Sequence, residues 1–454
     1  MPIVHKNEFG DKLIADYLEW FETYSIDNPT YGKISLHVVL GQALKNVHWE
    51  LGSRKIDNRI SMLLVKPQGS GKGAGYDSIV IIADGIGLDF QNLTESTDAG
   101  LVGTVDYDTE IKEEVVVPGL LQSADIVGME EASVLFDYAS DFSKKNMTYM
   151  QITMNPIESK SCTITKRLGK HTIEFKPHAS FILLTYPPDK LVEKLVKTGF
   201  IDRLIFLYED VTLIDRLRVI EKMSKRINKM SKKEQTERRE SIIRRLNVVI
   251  AKYQKSDVRI KIPDEVHAAL LQVIHRFSLK ILDASPKARV KLEHFVSRLY
   301  EMLLRLATHH ALLSKRIVLD MSDVLYANST YEPIWTNLIV SIESLLIVDP
   351  VETMRKHKIL RTALNEYDRQ IKLGKFVRGK KNDYVRMLTM IENLRDIWDY
   401  CSNDTAHSNL NKLVKLPKET YDKFGKFAKY EKDKFFVSKV FGDTVYLKKI
   451  KDMK

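Results

Sequence analysis

The chain has 454 residues, 44% hydrophobic and 29% charged, with a net charge of +11 from 71 basic and 60 acidic side chains. Its 20 Gly and 13 Pro exclude a collagen-like or low-complexity chain, and its 2 cysteines, Cys162 and Cys401, cannot build a disulfide framework or a structural zinc site. The first residues hold acids and no apolar h-region, and no apolar run reaches the roughly 18 residues of a membrane span, so a soluble, cytoplasmic protein is expected.

Residues 1–50 read as amphipathic helix, with LIADYLEWFETY followed by LHVVLGQALKNVHWEL (36–51). ISMLLV (60–65) is a buried-strand signal, and the Gly-rich turn PQGSGKGAG (67–75) leads into a second helical stretch. ADIVGM (124–129), FILLTY (181–186) and LIFLYED (204–210) are further strand candidates. CTITKRLGKHTIEF (162–175) alternates around LGK and predicts a β-hairpin. Apolar strands alternating with helices indicate an α/β body. From 214 to 255 the period is helical and the composition charged, and the basic pairs at 225–245 read as a solvated helix face. Two more helices are expected at 264–283 and 288–314, with a boundary near 347–350.

The tail carries the charge. Val351 to Lys454 hold 25 Lys/Arg and 14 Asp/Glu, a surplus of 11, which leaves about zero for residues 1–350. A neutral body with a basic tail suggests an enzyme core joined to a module for a polyanion. Helical patterns at 351–373, 384–402 and 405–415 precede two strand-like runs at 435–440 and 444–450.

GSGK (69–72) between a strand and a helix can aim backbone N–H groups at phosphates, with Lys72 reaching the terminal ones. Pro67, Gln68, Gly69, Ser70, Gly71, Lys72 and Gly73 are the candidate nucleotide-binding residues. The full pattern G-x-x-x-x-G-K-[ST] is not met: Lys66 takes the first Gly position and Gly73 the hydroxyl position. Glu130 and Glu131 end an apolar strand 58 residues on. One such carboxylate can hold Mg²⁺, here Glu130. The other, Glu131, can orient or deprotonate an attacking water.

GLVGTVDYDTEIKEEVVVPGLLQSADIVGMEEAS (100–133) resembles the helix-2 insert and Walker B region of minichromosome maintenance (MCM) helicases, which are hexameric AAA+ replicative helicases. NPIESKSCTITKRLGKHTIEFKPHASFILLTYPP (155–188) is similar to that family's pre-sensor-1 hairpin and sensor-1 strand, and GFIDRLIFLY (199–208) to its arginine-finger segment. SRLYEMLLRLATHHALLSKRIVLDMSDV (297–324) resembles its helical lid, and the helix at 36–51 the one before the phosphate loop.

The resemblance covers roughly 32–330 and implies a fold, a cofactor and partners. The fold is an α/β AAA+ core, a parallel sheet with helices on both faces and a helical lid. Its divisions are a helical extension at 1–31, the core at 32–212, linker and lid at 213–350, and a winged-helix-like domain at 351–454. ATP with Mg²⁺ is the implied cofactor. Arg203 is the implied arginine finger and Arg298 the sensor-2 residue, both acting on a neighbouring subunit's ATP. Thr185 and Tyr186 stand at the sensor-1 position, where the family has Asn. Lys166, Arg167 and Lys170 at the hairpin tip would grip single-stranded DNA in a ring.

The tail would read duplex DNA through Thr405, His407, Ser408, Asn409, Asn411 and Lys412 on an exposed helix face, with 435–449 as the wing. Only about 30 residues precede the matched region, so a reduced core without the family's N-terminal domain, as from a virus or mobile element, is expected. Two functions follow: an ATP-dependent helicase or translocase acting as a homo-oligomeric, hexameric ring in replication, with possible accessory proteins, or a non-motor AAA+ switch such as a helicase loader. His309 and His310 lack a metal-ligand pattern and read as structural.

Overall fold

Four strands with apolar runs, MLLV, IVGM, FILL within SFILLT, and IFLY, form most of one parallel sheet. Strands covered on both faces carry apolar side chains at every position rather than every second one. The computed structural model describes residues 8–25, 29–67, 70–93, 98–108, 113–136, 141–169, 171–186, 200–209, 231–254 and 257–347. It also describes helical positions at 217, 220, 221, 224, 366 and 369–372, a turn at 373, and five short strands in the last quarter.

The elements begin with α1 (Glu8–Phe21), α2 (Pro29–Ala43), β1 (Val47–Leu51), β2 (Arg54–Asp57), β3 (Met62–Val65), α3 (Lys72–Gly85) and β4 (Phe90–Asn92). Next come α4 (Asp98–Val102), β5 (Gly103–Asp108), β6 (Glu113–Pro118), β7 (Ile126–Met129), α5 (Asp141–Thr153), β8 (Ile164–Leu168), β9 (His171–Phe175), β10 (Ser180–Thr185) and β11 (Ile205–Tyr208). Then follow α6 (Lys232–Tyr253), β12 (Val258–Arg259), α7 (Asp264–Lys280), α8 (Pro286–Leu313) and α9 (Met321–Ile347). The last quarter adds β13 (Val377–Arg378), β14 (Asp383–Arg386), β15 (Val414–Lys415), β16 (Phe436–Phe441) and β17 (Thr444–Lys449). The chain divides into two compact units, 1–347 and 348–454.

The main sheet of the first unit has the order β11-β3-β10-β7-β4, parallel throughout. β3, the first strand of this sheet in chain order, therefore lies between its last two, β10 and β11. Its carboxyl end is zipped to both neighbours, since Lys66 N donates to Thr185 O at 2.9 Å and Glu209 N to Val65 O at 2.9 Å. The Lys66 ammonium, 2.6 Å from Glu209 Oε2, closes the same seam. Lys66 thus ties two strand ends together.

Two hairpins accompany the sheet. β5 pairs antiparallel with β6, and β8 with β9 in the register Ile164↔Phe175 to Leu168↔His171. The second is the hairpin expected at 162–175. Gly169 turns its tip with φ +59°, a conformation glycine adopts without steric cost.

The sequence reading fails in three places. Helix was expected to 51, but α2 ends at Ala43 and Val47–Leu51 is a strand, antiparallel to β2 and parallel to β12. In the second unit, residues 384–386 and 414–415 are strand where helix was expected. The strand-like runs expected at 435–440 and 444–450 form β16 and β17, which are inner strands of a five-stranded sheet ordered β13-β14-β17-β16-β15 rather than a two-stranded appendage.

Around the sheet, the long helices pack on one another and on its edges. α8 and α9 form the largest helix–helix contact, and α9 also reaches β11. Trp335 stacks on Phe277 and donates its indole N–H to Phe277 O at 2.9 Å. A buried polar chain crosses from this helical pair into the core. His309 Nε2 lies 3.0 Å from Asn58 O, His37 Nδ1 3.2 Å from His309 Nδ1, and His37 Nε2 2.8 Å from Tyr326 Oη. Only one proton arrangement satisfies it. Asn58 O can only accept, so His309 Nε2 carries the proton and its bare Nδ1 accepts from His37 Nδ1–H. His37 Nε2 then accepts from the Tyr326 hydroxyl. Burial depresses both imidazoles, His309 to about 3, so both stay neutral. His310 sits alongside, 2.7 Å from the buried Asp323. The structural reading of His309 and His310 agrees with this network, and the described residues contain no cluster able to hold a metal ion.

Candidate functional site

In an open parallel sheet, ligands bind outside the carboxyl ends of the strands, where connections leave in opposite directions. Here the corresponding strand ends are those of β3, β10 and β7, adjacent in that order. The turn from β3 reaches α3 through Gly71, whose φ of +76° lets the backbone reverse directly into the helix. No side chain caps α3, which leaves its first N–H groups, with their partial positive charge, to another acceptor.

Residues from distant parts of the chain brace the loop. Ser25 Oγ donates to Gly71 O at 3.1 Å, and Ser70 Oγ to Pro67 O at 2.5 Å. Tyr31 Oη reaches Lys72 O at 3.4 Å. Sequence reasoning missed Ser25 and Tyr31, which precede Lys72 by more than forty residues and belong to no local pattern.

Lys72, Glu130, Glu131 and Tyr186 meet at this end. Lys72 Nζ lies 5.3 Å from the centroid of the Tyr186 ring. Partial burial lowers the Lys72 ammonium below the ordinary lysine range, while the carboxylates of Glu131 and Glu130 act the other way. An under-solvated cation with two nearby, exposed acids gains from a polyanion that restores its lost solvation. A Cβ added at Gly73 would lie 3.2 Å from Glu130 Oε1, so loop and strand end are in contact. Thr185, buried on β10, turns its hydroxyl to Tyr186 O at 3.1 Å and so faces its own backbone. Gln68 and Gly69 lie outside the described residues.

The arginines sit at the other end of the sheet. Arg203 precedes β11, whose Ile205 pairs with Met62, whereas Lys72 lies beyond Val65. The length of β3, on the order of 10 Å, therefore separates Arg203 from its own phosphate loop. Arg203 Nη1 is 3.4 Å from Asp202 Oδ1, and Arg298 Nη1 is 3.4 Å from Glu301 Oε2. The two guanidinium groups repel each other across this cluster. Burial pushes Arg203 down, as does Arg298, while Asp202 and Glu301 oppose. Burial also raises Asp202.

Behind them the charges are fully closed. Glu301 also faces Arg305 at 3.9 Å, and Arg305 Nε donates to Asp57 O at 3.3 Å. Asp57 and Arg59 form a buried two-point pair at 2.8 and 3.2 Å, and Arg59 Nη2 donates to Asn155 O at 2.7 Å. A cavity of about 480 Å³ opens at this end, with Lys45, His48 and Asp257 in its walls. Lys45 and His48 are each paired to a carboxylate, at 2.7 and 3.0 Å.

The hairpin residues divide. Lys166 Nζ donates to Gly103 O at 2.9 Å and lies 3.5 Å from Asp98, so it is docked on the β5–β6 insert rather than free at a tip. His171, 2.9 Å from Glu114 Oε2, makes a second tie between the hairpins. Arg167 is exposed, and Lys170 lies outside the described residues. So do Thr405, His407, Ser408, Asn409, Asn411 and Lys412.

What fold and site define together is an α/β protein with a five-stranded parallel sheet and a Gly-rich loop–helix junction beside two strand-end glutamates. No protein-family model matches the sequence, and no curated protein resembles it closely enough to show a family. Among the described residues, no helix is long and apolar enough to cross a membrane.

Proposed function

We propose that the chain is an ATP-dependent DNA helicase or translocase of the MCM-like AAA+ type, working as a ring of identical subunits. The convergence of Lys72, Glu130, Glu131 and Tyr186 at the uncapped start of α3 carries this reading. The residues suit Mg²⁺-ATP: N–H groups and Lys72 for the phosphates, Glu130 for the metal. When bound, ATP supplies the transferable phosphoryl group and Mg²⁺ screens its charge. Glu131 orients the attacking water and takes its proton.

Arg203 and Arg298 stand together at the far end of the sheet, so they serve the neighbouring subunit's site. There they stabilise the charge that builds up as the bond breaks. The two joined hairpins carry that event to DNA through Arg167. A second reading, a non-motor ATP switch, is favoured by the docking of Lys166 against Gly103 and Asp98.

Strand displacement on a forked duplex separates the two. Glu131→Gln keeps the phosphate loop and removes the water-orienting carboxylate, so it should bind ATP yet displace no strand. General-base loss of this kind costs about 10²–10⁴ in turnover. A switch would keep its ATP-dependent DNA binding in Glu131→Gln and show no displacement even as wild type. Unchanged ATP turnover in Glu131→Gln would remove this residue from the site.

A further inference from the structure

Two departures in the candidate site touch each other. Phosphate loops of the Lys-Ser/Thr type place a hydroxyl after the lysine, and it shares the Mg²⁺ shell with an Asp at a strand end. Here the hydroxyl position is Gly73 and the strand-end acid is Glu130, longer than Asp by one methylene. A Cβ at Gly73 would come within 3.2 Å of Glu130 Oε1, closer than ordinary van der Waals contact. A side chain at position 73 would therefore press on the Glu130 carboxylate, which must shift by a few tenths of an ångström to admit it.

Neighbouring hydroxyls do not fill that role. Ser70 turns to Pro67 O, Ser25 to Gly71 O, Tyr31 to Lys72 O and Tyr76 to Asn92 Oδ1. Glu130 is exposed, so no surrounding core holds its carboxylate in place. The open space over Gly73 is what lets it lie against the loop.

We infer that Gly73 and Glu130 are a compensated pair, in which the longer carboxylate, admitted by the missing side chain, takes over the Mg²⁺ contact of the absent hydroxyl. Gly73 is then a positioning residue for Glu130. The inference rests on the Mg²⁺-ATP reading above. It makes each residue wrong without the other: a side chain at 73 shifts the Glu130 carboxylate off its contact with the loop, and Asp at 130 withdraws from the loop with no hydroxyl in its place.

The test is a titration of full-length protein with a fluorescent ATP analogue, in Mg²⁺ and in EDTA, with thermal midpoints taken alongside. The quantity read is the gain in affinity that Mg²⁺ confers. Gly73→Ser and Glu130→Asp should each cut that gain about tenfold, with affinity in EDTA unchanged. The double variant should return to within about threefold of wild type, as expected for residues in direct contact. Gly73→Ala combined with Glu130→Asp should stay weak, because it restores no hydroxyl. It also covers the case in which Gly73→Ser alone folds poorly. Losses that simply add in the Ser–Asp double variant would overturn the pairing and leave the Mg²⁺-ATP reading standing. Wild-type protein whose binding of the analogue ignores both Mg²⁺ and Lys72→Ala would bring down that reading and the pairing with it.

Discussion

The two ends of the central sheet are built on opposite principles. At the carboxyl end, an uncapped helix start, an under-solvated lysine and two exposed glutamates stand close together without closed ion pairs among them. At the amino end, Asp57, Arg59, Arg305 and Glu301 form a closed charge network whose members satisfy one another or backbone carbonyls. The first arrangement leaves electrostatic demand for a ligand. The second uses its charges to hold α8 and the strand entries together, and Arg203 and Arg298 at its rim remain part-exposed. Polar groups thus mark a site where their demand is unmet and a scaffold where it is met.

The largest expected effect bears on the rim. Arg203→Ala should lower ATP turnover by about 10³–10⁵ if the guanidinium completes a neighbour's site. Mixing it with Lys72→Ala subunits, also inactive alone, should recover activity, because each variant spoils a different half of an interface. Mixed rings that stay inactive would place Arg203 with the scaffold.

A scaffold residue should fail through stability. Asp57→Ala strands the buried Arg59 and should cost about 3–5 kcal/mol in denaturant unfolding. Burial would raise the Asp57 carboxyl, but the charge and hydrogen bonds of Arg59 overcome this and hold it below the ordinary range. Its contribution is therefore present above the unfolded carboxylate range and disappears only as pH falls through the lowered folded value. A wild-type-like unfolding midpoint in Asp57→Ala would erase the contrast between the two ends.

Mild acid should also loosen the scaffold end, by a smaller amount. His309 is depressed to about 3, so the unfolded chain takes up protons first once pH drops below the ordinary histidine range near 6.5. Stability should fall by up to about 1.4 kcal/mol per pH unit per such histidine, and His37 adds to it. Thermal midpoints between pH 7 and pH 5.5 measure this, and His309→Gln should flatten the curve.

The smallest effect sharpens the hairpin assignment. Arg167→Ala removes one exposed charge and should reduce the log–log salt slope for single-stranded DNA by about 0.7, with the fold intact. Lys166→Ala should instead destabilise the hairpin contact with Gly103. Equal salt slopes in wild type and Arg167→Ala would detach the hairpin from DNA.

Much of the core was legible because burial on both faces leaves an unbroken apolar run. MLLV, IVGM, FILLT and IFLY announced their strands for that reason, and LGK its hairpin through a glycine able to adopt positive φ. β4 carries no such signal, since FQN is three residues long and mostly exposed. VHWEL looks like the end of a helix from sequence because its apolar residues continue the pattern of α2. Its strand character comes from pairing with β2 and with the distant β12.

The sequence alone placed Lys72 after one strand and Glu130–Glu131 after another, because strand–loop–helix punctuation is written locally in apolar runs and glycines. Only tertiary structure put those strand ends at one end of the sheet with β10 alone between them, set Glu130 against Gly73, brought Lys72 over the Tyr186 ring and gathered Arg203 with Arg298 at the opposite end. Strand order decides those neighbours, and strand order is fixed by packing between segments far apart in the chain, which no local pattern records.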